Sequence, residues 1–317
     1  MDYLPQEKFM MGKLIECQKL TKRFARIKAI DDVDLSVEPG QTLGLVGPNG
    51  AGKTTLFSLI SGYIKPTSGE IRVLGHNPGT ALIKGRIGAL PQDTPFLQGI
   101  SVEAQLSLYA KLQGYTGKAA KAEVRQILEH LKIIDLARQY PETLSFGQRK
   151  RVSIAQTLIG KPELILLDEP TSGLDPVAAN DVRKIIREMG SQCTFIISSH
   201  NLDEIDDVCT EVIIIKQGKL VKHCPISELV ERDSSLNLLL SHSLPDQAQK
   251  DLNLISDIDD VMTDPANPHR VTISFNSENP DQLQLEIMST VQKHNVSIIE
   301  FSRGETLTGK VVDLVKG

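Results

Sequence analysis

Three short stretches of this chain combine reactive side chains with spacings that have a direct chemical meaning. Gly47-Pro48-Asn49-Gly50-Ala51-Gly52-Lys53-Thr54 fits the pattern G-x-x-x-x-G-K-[ST]. Its glycines let successive backbone N–H groups turn inward around phosphate oxygens, and a helix starting there adds the positive end of its dipole. Lys53 suits the β- and γ-phosphates of a nucleoside triphosphate, and the Thr54 hydroxyl suits Mg²⁺. Further on, the apolar run Leu164-Ile165-Leu166-Leu167 ends in Asp168-Glu169. Two adjacent acids usually make only a solvated turn. At the end of a buried strand they sit where α/β sheets hold ligands, so Asp168 suits a metal contact and Glu169 suits polarising an attacking water. His200 closes a third run, Thr194 to Ser198, in the same manner.

These residues need strands and helices to hold them. Thr42 to Val46 is a short apolar run between Pro39-Gly40 and the glycine-rich turn, which predicts a central strand. A helix is predicted from Gly52 to about Ser61, with Gly62 as its stop. Lys13 to Leu20 and Ile30 to Val37 alternate as half-buried strands do. Strands are also predicted at Leu164 to Leu167, Thr194 to Ser198 and Glu211 to Ile215, with a helix over Val177 to Met189. Lys216-Gln217-Gly218-Lys219 reads as a hairpin turn. Parallel-type strands separated by helices predict an α/β core covered on both faces. The helical patterns at Ala104 to Lys111 and Ala119 to Leu131 interrupt that alternation as an insert over about 94–143. Beyond about residue 230 the texture changes. Residues 231–268 are polar and carry prolines, so they read as linker. Residues 269–317 predict a small accessory unit of the β-α-β kind.

Composition narrows the function. Aromatic residues make up 4% of the 317, Trp is absent, and the net charge is −5. Neither a base-stacking platform nor a basic footprint is present, so no nucleic-acid partner is expected. No run approaches the roughly 20 apolar residues that span a bilayer. Met1 to Gly12 lacks the basic start and apolar stretch of a secretion signal. A cytoplasmic location follows as an expectation, with any membrane-spanning helices supplied by another polypeptide. The four cysteines, Cys17, Cys193, Cys209 and Cys224, have no metal-ligand spacing and read as small core residues.

Leu144-Ser145-Phe146-Gly147-Gln148 lies about twenty residues before Asp168 and opens the helix that leads toward it. It resembles the signature of the ABC-type ATP-binding cassettes. The resemblance covers about residues 13–230 and extends to Gln92 in Leu90-Pro91-Gln92, to Ser172-Gly173-Leu174-Asp175, and to His200, all in family order. It implies an α/β P-loop NTPase cassette with a mixed sheet core, an antiparallel β part and a helical insert. By the same resemblance, Gly47, Pro48, Asn49, Gly50, Ala51, Gly52, Lys53, Thr54 and Thr55 hold the phosphates of ATP. Thr54, Gln92 and Asp168 surround Mg²⁺, Glu169 is the general base, and His200 contacts the γ-phosphate and holds Glu169 and the water in line. Phe24, in Thr21-Lys22-Arg23-Phe24, stands where the family stacks an aromatic on adenine. Ser145, Gly147 and Gln148 would close over ATP bound to a second cassette, a copy or a paralogue, so that two ATP molecules lie between two subunits.

One departure stands out. Phe146 occupies a position that is usually Gly, and it is expected to pack on the helical insert or on the partner subunit. The resemblance also implies a separate transmembrane permease, received near Thr94 to Ile100. The length, the single cassette and the C-terminal unit are similar to subunits of ABC-2 type exporters for drugs, lipids or polysaccharides, with an importer subunit as the alternative. A soluble ABC protein uncoupled from transport is a further alternative; the two cassettes or coiled-coil split typical of that class are not seen.

Overall fold

The computed structural model describes residues 12–303, apart from 93–94, 191, 230–234, 265–266 and 278, together with residues 307, 311 and 314. The chain divides into two units after Pro225.

In the first unit, β3 (Thr42–Val46), β5 (Ile87–Leu90), β6 (Leu164–Asp168), β7 (Thr194–Ser198), β8 (Glu211–Lys216) and β9 (Lys219–Pro225) form one sheet in the order β5-β6-β7-β3-β8-β9. All neighbours are parallel except β8 and β9. Every residue of β3, β6 and β7 is buried, which is why these strands read as unbroken apolar runs rather than alternating ones. Gln217 and Gly218 both take positive φ between β8 and β9, the conformation a two-residue hairpin turn demands. A three-stranded antiparallel sheet, β2-β1-β4, joins β1 (Ile15–Phe24), β2 (Ile27–Val37) and β4 (Ser68–Val73).

One continuous core ties the two sheets together through α1 (Lys53–Ile60). Ile15, Leu20 and Val73 from the antiparallel sheet meet Leu43, Leu45 and Ile213 from the other sheet and Leu56 and Leu59 from the helix. Each such side chain, fully withdrawn from water, contributes about 1.5–3 kcal/mol. The helical insert consists of α2 (Val102–Leu112) and α3 (Gly117–His130), and α4 (Phe146–Thr157) returns the chain to the sheet. After β6 come α5 (Pro176–Met189) and, beyond β7, the short α6 (Leu202–Val208). Gly44 lets α6 lie directly on β3: an added Cβ there would stand 2.3 Å from Cγ2 of Ile205.

Parallel register brings the chemistry together. Asp168 pairs with Ser198 across β6 and β7, and Ser198 pairs with Leu45 across β7 and β3. Three strands therefore end side by side on one edge of the sheet, the edge where such sheets hold ligands.

The second unit opens with α7 (Ile226–Leu229). It continues as β10 (Ser235–Leu240), α8 (Asp246–Asn253), β11 (Ile258–Asp264), β12 (Asn267–Phe275), α9 (Pro280–Lys293) and β13 (Ile298–Arg303). Its sheet order is β11-β12-β10-β13, every pair antiparallel, which is the ferredoxin-like arrangement. The expected linker over 231–268 is therefore corrected: its described part supplies two strands and a helix, and the unit is β-α-β-β-α-β. Leu236, Leu238, Leu240, Leu252 and Val261, all from that stretch, lie in the unit's core. The polar texture belongs to the outward faces of short elements, and Pro245 occupies the N-cap of α8 rather than marking slack chain.

Candidate active site

The strand-to-helix turn after β3 is shaped by contact rather than by propensity alone. Gly52 holds φ at 113°, and a Cβ there would lie 2.4 Å from the Ala29 carbonyl oxygen, so no other residue fits without moving β2. No side chain caps the first turn of α1, which leaves its leading amides to a ligand. Lys53 is buried and donates through Nζ to the Gly47 carbonyl at 2.6 Å and the Pro48 carbonyl at 3.4 Å. Beyond this turn lies a cavity of about 210 Å³, lined by Ala29, Asn49, Gly50, Ala51, Gly52, Lys53, Thr54, Thr55, Gln92, Asp168 and Glu169. Residues distant in sequence thus converge on one space.

Asp168 is buried and accepts hydrogen bonds from Thr54 Oγ1 at 3.0 Å and from Ser198 Oγ. Its neighbour Glu169 sits in left-handed backbone, φ 51°, which costs a non-glycine residue about 1–2 kcal/mol. The surroundings enforce it: the Glu169 amide donates to the Ser198 carbonyl at 3.0 Å and to Ser198 Oγ at 3.2 Å. This twist turns Glu169 away from the line of the strand. His200 Nδ1 lies 2.7 Å from Glu169 Oε2, and since an ionised carboxylate only accepts, Nδ1 carries the proton in that pair.

The segment 145–148 lines a different cavity, of about 290 Å³, with Gly173, Leu174, Asp175, Val177 and Ala178 among its walls. Ser145 is the N-cap of α4 and forms a reciprocal capping box with Gln148: the Gln148 amide donates to Ser145 Oγ at 3.2 Å, and the Ser145 amide donates to Gln148 Oε1 at 2.9 Å. Ser145 Oγ accepts in this box, so its own proton stays available to an anion. Gly147 packs so closely on α5 that a Cβ would meet that of Ala178 at 3.1 Å.

Phe146 is 51% exposed, and its ring edge covers Gly173, where an added Cβ would meet Cε1 at 3.1 Å. The Arg149 guanidinium lies 6.0 Å from the ring centroid. Of the two expected packings, on the helical insert or on a partner subunit, the ring's contact seen within the chain is with the 172–175 loop, and its exposed half stays open to a partner.

Known proteins share this fold and sequence. The family described as "ABC transporter" matches residues 30–172. Linearmycin resistance ATP-binding protein LnrL of Bacillus subtilis is 31% identical over 234 residues, covering 72% of this chain and 75% of that protein. The chain belongs to the ABC transporter ATP-binding proteins. Methionine import ATP-binding protein MetN of Corynebacterium glutamicum is 33% identical over 243 residues, covering 72% of this chain and 67% of that protein. The solved structure of cbiO1 from Clostridium perfringens superposes with a TM-score of 0.63 at 28% identity, over 69% of this chain and 90% of that one. This ABC cassette is accordingly an ATP-binding, ATP-hydrolysing subunit with the P-loop fold.

Two expected contacts of the ABC cassette stand apart from the cavity beside Lys53. Phe24 does not line it; its ring is half exposed at the end of β1, with Lys22 Nζ 5.1 Å from the centroid. In the segment 94–100, Thr94 lies outside the described residues, while Leu97 is 46% exposed and its amide donates to Gln105 Oε1 at 2.7 Å. Sequence reasoning missed Ser198, which bridges Asp168 and the Glu169 backbone. The signal was available, since the apolar run of β7 ends in Ser198-Ser199 beside a strand ending in two acids.

Proposed function

We propose that this chain powers a separate membrane permease of the exporter type, for drugs, lipids or polysaccharides, from the cytoplasmic face of the membrane. The supporting observation is the separation of two half-sites within one chain. Lys53, Thr54, Gln92, Asp168 and Glu169 surround one cavity, while Ser145, Gly147 and Gln148 line another. A second cassette, copy or paralogue, would present its 145–148 segment to the first cavity, so that two ATP molecules lie at a shared interface. ATP binding then favours the closed pair and hydrolysis releases it, a ligand biasing a two-state equilibrium through differential contacts.

In this reading Gly47 to Thr55 cradle the phosphates, Glu169 takes the proton of the attacking water, and His200 orients Glu169. Phe24 stacks on adenine. Among the described residues no group of three or more His, Cys, Asp or Glu side chains could hold a metal by itself. One carboxylate, a hydroxyl and an amide oxygen, from Asp168, Thr54 and Gln92, instead suit Mg²⁺, which favours few protein ligands together with substrate phosphates. The ion would neutralise phosphate charge.

Among the described residues no helix is long and apolar enough to cross a membrane, and in this reading a separate permease supplies the spanning path. The half-exposed Leu97 belongs to the surface that would receive it. Likeness to a linearmycin resistance protein and the small C-terminal unit favour export; likeness to a methionine import protein supports the importer alternative. Purification of tagged chain from membranes, followed by transport in inverted and right-side-out vesicles, tests this. ATP-driven accumulation in inverted vesicles supports export. Accumulation in right-side-out vesicles loaded with ATP would favour import, and a chain that binds no membrane protein would end the transporter reading.

A further inference from the structure

Glu204, on α6, is 1% exposed, the most deeply enclosed acid of the first unit among the described residues. A carboxyl so placed is costly unless hydrogen-bonded or paired with a cation. The contrast with Glu163 is instructive. That residue is buried too, but Arg86 holds both its oxygens, at 2.7 and 3.1 Å. No such clamp holds Glu204. Its Oε2 accepts from Thr171 Oγ1 at 2.7 Å and from Ser199 Oγ at 2.7 Å. Its Oε1 has no hydrogen-bond partner among the described residues.

The two donors matter because of where they sit. Thr171 lies two residues after Glu169, and Ser199 immediately precedes His200. One oxygen atom therefore ties the loop leaving β6 to the loop leaving β7. The anchor is itself fixed: Asn201 caps α6, accepting from the Asp203 amide at 3.1 Å and the Glu204 amide at 3.4 Å, and Ile205 packs straight onto Gly44 of β3. Glu169 occupies left-handed backbone that its loop would otherwise relax away from.

We propose that Glu204 is a positioning residue for ATP hydrolysis, holding Thr171 and Ser199 on one oxygen and thereby fixing the Glu169–His200 contact. This rests on the reading of Glu169 and His200 as the hydrolytic pair. Glu204 does not line the phosphate cavity. Its effect falls on turnover and leaves nucleotide affinity alone, because the phosphate cradle belongs to the turn after β3.

The test compares ATP turnover and affinity for a fluorescent ATP analogue in Glu204→Ala, Glu204→Gln and the Thr171→Val/Ser199→Ala double variant. Glu169→Gln and His200→Ala serve as controls. Expected is a loss of at least about tenfold in kcat for Glu204→Ala, with affinity within about threefold, as misplacement of a reacting group produces. The double variant should match it, and adding Glu204→Ala to the double should cost nothing further, the non-additivity of a shared network. Glu204→Gln keeps a carbonyl oxygen for both hydroxyls and should recover at least about a third of the lost turnover, because the network needs an acceptor and not a charge. If Glu204→Ala is insoluble, the double variant decides. Wild-type kcat in the double, or equal loss of affinity and kcat, overturns the proposal. Turnover surviving in the two controls would instead overturn the reading of the hydrolytic pair.

Discussion

His200 Nδ1 and Glu169 Oε2 stand 2.7 Å apart, joining a side chain that is 68% exposed to one that is 13% exposed. The imidazole thus reaches from solvent to a carboxylate at the cavity wall. Its accessible face can meet a ligand while its inner nitrogen fixes the acid. Glu169→Gln keeps the shape and loses the carboxylate proposed as the base, so ATP turnover should fall by about 100-fold or more, the usual span for a general base. Binding should survive, and the protein should elute as a stable ATP-bound dimer in size-exclusion chromatography. Turnover near that of wild type would remove Glu169 from the chemistry.

Lys53 offers a buried ammonium to the cavity proposed to hold the phosphates. A hydrogen bond to a charged group contributes about 1.5–3 kcal/mol. Lys53→Ala should therefore weaken ATP at least about tenfold by equilibrium fluorescence. Unchanged affinity would contradict the phosphate role.

Phe146 leans on Gly173 while Gly147 presses on Ala178, so the signature segment packs against both the 172–175 loop and α5. Phe146→Gly removes half-buried ring contact of about 1 kcal/mol, on the usual area scale. Turnover should fall by about threefold to tenfold, in keeping with a loosened contact of that size. A tenfold rise in the ATPase assay would mean that the ring obstructs the site.

Burial, exceeding the help of the Thr171 and Ser199 hydroxyls and of the Arg183 charge, pushes the Glu204 carboxyl above the ordinary glutamate range; nearby Glu169 pushes the same way. The native protein then keeps a proton that the unfolded chain releases, so stability declines as pH rises from the ordinary glutamate range through the native value. Glutamine cannot ionise. Glu204→Gln should melt a few degrees above wild type at about pH 8, with the two curves converging below about pH 4. A pH-independent difference would show that the carboxyl carries no such proton.

Sequence pattern alone exposed the strands that carry the chemistry, because β3, β6 and β7 are buried along their whole length and end in reactive residues. It left β5 unassigned, since four residues including Gly88 give too little periodicity. It also left β4 unassigned, because only Ile71 and Val73 of its six residues turn inward. The misread stretch before residue 268 shows the same limit: β10 alternates over Leu236, Leu238 and Leu240, but polar flanks hide so short a signal. Glu204 was illegible for a different reason. Its partners are 33 and 5 residues away, and only the seating of α6 on Gly44 brings them together.

The twisted backbone at position 169 sets durability against chemistry. Glycine would adopt that conformation freely, and asparagine more easily than glutamate, so either replacement relieves the main chain while removing the acid proposed for hydrolysis. Variants chosen only for surviving heat will tend to abandon the acid, and a sturdier protein from such a screen should be checked first for whether it still burns ATP.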